Sequence, residues 1–200
     1  MARQQPALHV ISSPASADAP VDPRVPRVSE THLCPTPADL DLETLFRRYA
    51  SYVAAVAYRL LGRDDEVDDT VQEVFLAAVR GIASVRDPGA VKGWLARVTV
   101  RVARRRLQKR RMLNWLGLSD ASAYERVADS SADAEQKALL SRVYRVLDRM
   151  PSSQRLAWSL RYIEGEPLEQ VATLLGCSLA TAKRRIAAAA VELTETFADG

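Results

Sequence analysis

Arg97, Arg101, Arg104 and Arg105 follow one another at spacings of four, three and one, which on a helix of 3.6 residues per turn sets them on one face. Opposite them stand Trp94, Leu95, Val98 and Val102, and Arg106, Lys109, Arg110 and Arg111 widen the basic face into a patch. Guanidinium groups grip phosphate oxygens through two parallel N–H donors, and each contact releases counterions. The block therefore reads as a surface for a polyanion. Trp94 reads as core, and Trp115, beyond the apolar stripe, as a candidate for stacking on a base. The reverse charge crowds Asp64, Asp65, Glu66, Asp68 and Asp69, with Gln72 and Glu73 one turn further on. Acids favour a helix N-terminus, but five in six residues exceed what capping needs and repel one another. A basic protein surface would relieve that repulsion, whereas nucleic acid would add to it.

No residue set here makes or breaks bonds. The two histidines, His9 and His32, lie in the Pro-rich N-terminal stretch and no Ser/His/Asp constellation appears, the two cysteines, Cys34 and Cys177, form no metal-ligand spacing, and no phosphate-cradling Gly loop occurs. The reading is no enzyme, no catalytic residues, no metal, no cofactor and no small-molecule substrate. Apolar residues are 48% of the 200 and charged residues 26%, enough for packed cores. No apolar run approaches the ~20 residues of a membrane span, so no membrane insertion is expected. No signal segment opens the chain and no disulfide framework is present, which fits a cytoplasmic protein. The net charge of +3 conceals segregation: residues 88–119 hold nine Lys and Arg and no Asp or Glu, while residues 39–87 hold six basic and ten acidic groups.

The elements that must carry these residues are helical throughout, because the apolar period is 3.6 from residue 39 onward and no alternating pattern appears. Seven of ten prolines fall within residues 1–37, so 1–38 reads as a disordered tail. A first helix carries Leu42, Leu45, Phe46, Tyr49, Val53, Val56, Ala57 and Leu60 and ends at Gly62. A second, capped by Asp64 or Asp65, carries Val67, Val71, Val74, Phe75 and Ala78. A third runs from Val91 through the basic block and fades near Asn114. Ser, Ala and Asp dominate the stretch that follows, and 113–133 reads as a linker. Leu139, Leu140, Val143, Leu147 and Met150 mark the next helix, and Pro151 opens another that ends at Gly165.

Pro167 then opens a short helix with Leu168, Val171, Ala172 and Leu175. Gly176 closes it, Ser178 caps the last helix, and Ile186 packs back. A short helix, a tight Gly turn and a second helix form the helix-turn-helix arrangement, whose second helix enters a major groove. Ser178, Thr181, Lys183, Arg184 and Arg185 occupy its early turns, where side chains reach phosphates and base edges. Ala187 to Ala190 add no basic contact. The fold class is all-α: two small helical bundles, 39–112 and 134–200, joined by a flexible linker, the second holding the helix-turn-helix.

Residues 39–112 and 134–193 together resemble a bacterial RNA polymerase sigma factor of the small extracytoplasmic-function (ECF) type. DLETLFRRYASYVAAVAYRLLG is similar to the opening helix of that family's region 2, and DDTVQEVFLAA to its polymerase-docking segment. GWLARVTVRVARRRLQKRR resembles the segment that reads and melts the −10 promoter element. LDRMPSSQRLAWSLRYIEGEPLEQVATLLGCSLATAKRRI resembles region 4, which reads the −35 element. The resemblance implies that Asp65, Asp68, Asp69, Gln72 and Glu73 face core RNA polymerase. It implies that Ser178, Thr181, Lys183, Arg184 and Arg185 meet the −35 duplex of promoter DNA, and that Arg97, Arg101, Arg104, Arg105 and Lys109 lie near the −10 strand. Where the family commonly has Asn and Asp on the −10 helix, this chain has Arg101 and Arg105. An anti-sigma factor is a further implied partner. The alternative is a stand-alone helix-turn-helix regulator that binds duplex DNA without polymerase.

Overall fold

A computed structural model describes residues 42–117 and 134–198, and every regular element among them is helical. In chain order these are α1 (Leu42–Leu61), α2 (Val67–Gly81), α3 (Val91–Trp115), α4 (Ala134–Arg149), α5 (Ser152–Trp158), α6 (Leu168–Leu175) and α7 (Leu179–Ala198). The Pro-rich tail and most of the linker lie outside the described residues. Between α2 and α3 the chain makes two 3₁₀ turns, Ile82–Ser84 and Pro88–Ala90, the second capped by Asp87, whose Oδ1 accepts from the Gly89 N–H at 2.8 Å. α5 runs on into a π-type turn at Ser159–Ile163.

The apolar stripes read from the sequence become the core of the first bundle. Leu45, Val53, Val74, Phe75, Leu95, Val98 and Val102 are buried in one cluster, each full burial contributing about 1.5–3 kcal/mol. Leu42 and Phe46 open the α1 stripe but stay half-exposed, because only α2 reaches that end; Phe46 lies 4.9 Å from the Phe75 ring. Leu139 and Leu140 are likewise exposed, and α4 instead buries Tyr144, Val146, Leu147 and Met150. The cap of α2 differs from the expectation. Glu66 is the N-cap and makes no side-chain cap bond, since Asp65 is turned toward Arg63 at 2.7 Å. In the second bundle Tyr144, Leu147 and Met150 pack with Ala189 and Leu193 of α7.

The two bundles meet at the C-terminus of α1. A helix leaves its last carbonyls without intrahelical partners, and here each finds one. The Tyr58 carbonyl accepts from the Gly62 N–H at 2.7 Å. The Arg59 carbonyl accepts from the Tyr144 hydroxyl at 2.8 Å. The Leu60 and Leu61 carbonyls accept from Arg155, and Leu61 also from Arg110. Both guanidiniums sit at the negative end of the helix dipole, which favours them there. Asp148 of α4 accepts from Arg155 and, at 3.1 Å, from Arg110, and Glu66 holds Arg110 at 2.8 Å. Burial pushes Arg155 down to about 10, with Asp148 opposing, so the guanidinium remains charged at neutral pH. Outside this joint, Arg59 grips Glu164 through two bonds of 2.6 and 3.0 Å.

Gly62 is required at the joint. Its φ of +64° suits glycine, and a Cβ there would meet the Tyr144 ring at 2.2 Å. Around the polar joint runs a shared apolar cluster. Val56, Leu60, Val100, Ala103 and Leu107 pack in it with Leu156, Leu160, Val171, Leu175 and Ile186.

Candidate nucleic-acid interface

The sequence places Thr181, Lys183, Arg184 and Arg185 on the second helix of a helix-turn-helix, and α6 and α7 have that form. α6 ends at Gly176, whose φ of +61° is the left-handed C-cap, and the Cys177 N–H returns to the Ala172 carbonyl at 3.0 Å. Ser178 caps α7, its Oγ accepting from the Thr181 N–H at 3.2 Å. Ala172, Ala182 and Ile186 are buried where the helices cross. Lys183 and Arg184 are exposed and Arg185 is half-buried. None of the three has an ion-pair partner among the described residues.

On α3 the basic residues divide into two sets. Arg105 pairs with Glu73 at 2.7 Å, and Arg106 lies 3.7 Å from Asp69 and 3.5 Å from Glu73. Arg110 turns inward to the joint, 8% exposed, and so leaves the outer patch that the sequence assigned it. Arg97, Arg101, Arg104, Lys109 and Arg111 are exposed and unpaired among the described residues. Leu95, Val98 and Val102 bury the opposite side as expected, and Trp94 is half-buried. Arg97, Arg101 and Arg104, together with Trp94, form one wall of a groove of about 370 Å³ whose other wall is Thr173–Gly176 of α6.

α2 resolves its crowd of acids in the same way. Glu73 and Asp69 face α3, and Asp65 faces Arg63, whose guanidinium holds its carboxyl below the ordinary carboxylate range. Asp64 and Asp68 stay exposed without an ion-pair partner among the described residues, and Gln72 is exposed beside them. The same outer stripe continues through Leu76 and Val79, 63% and 54% exposed. Sequence reading missed these two residues. The signal was present, since both are apolar and lie off the stripe of Val71, Val74, Phe75 and Ala78. Leu76 also borders a second groove of about 460 Å³, between α2 and α3, rimmed by Glu73, Arg80, Arg101 and Arg105.

The chain thus offers three charged faces: an acidic–apolar stripe on α2, a basic stripe on α3 and a basic start to α7. Among the described residues no cluster of His, Cys, Asp and Glu could hold a metal ion, and no helix is long and apolar enough to cross a membrane.

Comparison with known proteins shows which family carries this sequence and fold. Residues 45–112 match the model of sigma-70 region 2, and residues 140–193 that of sigma-70 region 4, together more than half of the chain. The ECF RNA polymerase sigma-E factor of Haemophilus influenzae is 33% identical over 151 residues, 71% of this chain and 79% of that one. The ECF RNA polymerase sigma factor SigE of Mycolicibacterium smegmatis is 30% identical over 148 residues, 72% of this chain but only 56% of the longer relative. In fold, the chain is similar to the sigma factor RpoE solved with the anti-sigma factor NepR from Bartonella quintana. That likeness has a TM-score of 0.58 and 22% identity, over 78% of this chain and 95% of that one. Region 2, region 4 and the ECF relatives converge on one conclusion: this chain belongs to the ECF group of RNA polymerase sigma factors.

Proposed function

We propose that the chain is a promoter-specificity subunit without chemistry of its own. The outer stripe of α2, with Asp68, Gln72, Leu76 and Val79, docks on core RNA polymerase. Ser178, Thr181, Lys183, Arg184 and Arg185 seat the start of α7 in the major groove of the −35 element. Arg97, Arg101, Arg104 and Lys109 of α3 hold the unpaired −10 strand, while Arg105 sets the α3–α2 contact through Glu73. Unstacking a base costs a few kcal/mol, which binding of the separated strand offsets. An anti-sigma factor is the expected inhibitor, able to mask these faces until it is released.

The observation that carries this reading is the division of charge. The acids and bases that meet between α2 and α3 neutralise one another, and those left over put Asp64 and Asp68 at the start of α2 and clusters of bases on α3 and on the first turns of α7. A stand-alone duplex-binding regulator would have no use for the acidic–apolar stripe. The test is co-purification with core polymerase, followed by run-off transcription over a pool of promoters. Asp68→Lys with Gln72→Lys, both at exposed positions, is expected to abolish both readouts and leave the thermal midpoint in place. Tight sequence-specific duplex binding by the unmutated chain, with no association with polymerase, would refute the proposal in favour of the regulator.

A further inference from the structure

Glu73 stands where two surfaces meet. It borders the groove between α2 and α3 together with Leu76 of the acidic–apolar stripe and with Arg101 and Arg105 of the basic helix. Arg105 donates to its Oε1 at 2.7 Å, while Arg106 reaches its Oε2 at 3.5 Å and the Asp69 carboxylate at 3.7 Å. The two arginines are held differently. The Arg106 side chain is 23% exposed and keeps Asp69 when Glu73 is taken away. The Arg105 side chain is 60% exposed, and Glu73 is its one ion-pair partner among the described residues. Arg101 and Lys109 stand four residues to either side of it, both exposed, and like charges at that spacing repel one another. Glu73 relieves that repulsion; without Glu73, Arg105 is one more free cation in the row.

We propose that the Glu73–Arg105 pair is an exchange contact that couples the α2 face to the α3 face: a basic surface of polymerase takes Glu73, and the released Arg105 takes a phosphate. The inference rests on the reading that α2 docks on polymerase and α3 meets DNA, and it adds the link between the two events. Charge balance gives the sign of the coupling. Polymerase at Glu73 alone leaves Arg105 uncompensated, and DNA at Arg105 alone does the same to Glu73. Whichever arrives first breaks the internal pair, and the second finds it already broken. The coupling is therefore positive and equal in both directions. An exposed pair suits an exchange because it opens at small cost, where a buried pair would resist. The usual strength of such a pair sets the coupling at about 1.5- to 5-fold. An Asp at this position, which the family commonly has, would repel Glu73, so the exchange is a feature of this chain. Arg105 is thus withheld from nucleic acid in the free chain and made available by docking.

The experiment reads Arg105 in two states of the full chain, free and bound to core polymerase. For the free chain the probe is a fluorescent oligothymidylate of about a dozen nucleotides, titrated across a salt series. Arg105→Gln should weaken binding about 1.5- to 5-fold more in the Glu73→Gln background than in the wild type. Only in that background should it lower the slope of log affinity against log salt by about 0.7, one phosphate contact on a single strand. Asp64→Asn removes an acid that has no ion-pair partner among the described residues, and in that background the effect of Arg105→Gln should equal its effect in the wild type. With saturating core polymerase, Arg105→Gln should lower run-off transcription by the same about 1.5- to 5-fold that it costs the free Glu73→Gln chain. Equal effects of Arg105→Gln in the wild-type and Glu73→Gln backgrounds would overturn the exchange, because simple charge removal is additive. So would an oligonucleotide that binds neither chain, or transcription that is indifferent to Arg105→Gln. Transcripts from the wild type with an additive free-chain cycle would end the exchange and leave the sigma-factor reading intact. No transcript and no association with polymerase from the wild type would sink that reading, and the polymerase half of the exchange with it, even where the free-chain cycle shows the coupling.

Discussion

At the joint beneath α1, a single ring answers to two neighbours at once. Tyr144 lies over Gly62 and donates to the Arg59 carbonyl. Burial pushes its phenol up to about 12. The folded state therefore binds the phenolic proton more tightly than the unfolded chain, whose phenol titrates near pH 10. The resulting stability is fully present below about pH 10 and is lost as the pH rises toward 12, by about 3 kcal/mol across the window. Tyr144→Phe should cost about 1 kcal/mol at neutral pH for the lost hydrogen bond, yet fall less steeply above pH 10, so that the two stability curves cross before pH 12. Urea midpoints for both proteins across that range check it, and parallel curves would show that the phenol titrates freely in the fold. Little of this joint was legible in the sequence. Arg155 follows a Pro-Ser-Ser-Gln stretch in which nothing marks it for burial, and Arg110 reads as one more member of a basic patch. Both are drawn inward because α1 ends there with unpaired carbonyls, and periodicity within α3 or α5 carries no information about where α1 ends.

Individual helices were far more legible, since each states its buried side by apolar spacing. The helix-turn-helix was the clearest case. Gly176 supplies the left-handed turn, Ser178 the cap, and Ile186 the contact between the helices, each at the position its chemistry demands. Two element-level features escaped sequence reading. The π-type turn at Ser159–Ile163 leaves no mark in composition. The expected cap of α2 by Asp64 or Asp65 gave way to an ion pair, because Arg63 offers Asp65 a charge-assisted partner. On the proposed reading, contact of α7 with DNA falls on few side chains, since Ala187 to Ala190 supply no further basic group. Arg184→Ala or Arg185→Ala should therefore weaken promoter use by about 1–3 kcal/mol if the residue reads a base edge. Competition among −35 variants in run-off assays distinguishes the roles: a loss confined to particular −35 sequences marks a base contact, and an equal loss on all of them marks a phosphate contact.

Taken whole, the described helices form one body whose halves share an apolar cluster and a buried set of charges, and its size constrains how it can use a promoter. A packed chain of about 150 residues has a radius of gyration near 15 Å and so a diameter of roughly 40 Å. The −35 and −10 elements lie about 25 base pairs apart, or ~85 Å along duplex at ~3.4 Å per step. With α3 at one element, a body of that size cannot set α7 at the other, so the joint must part when both are engaged. Parting uncovers the carbonyls of Leu60 and Leu61 and strands Asp148 with its two arginines, a cost that docking on polymerase and DNA must exceed. Arg59 and Glu164 bridge the halves beside this joint. A chain with Arg59→Cys and Glu164→Cys, and Ser in place of Cys34 and Cys177, can be closed there by a reducible thiol cross-linker. The cross-linked protein is expected to bind core polymerase through α2 but to give no promoter-directed transcript, and reduction should return the transcript to the level of the same variant before cross-linking. Full transcription in the cross-linked state would mean that the closed body serves both elements, and the spacing argument would fail.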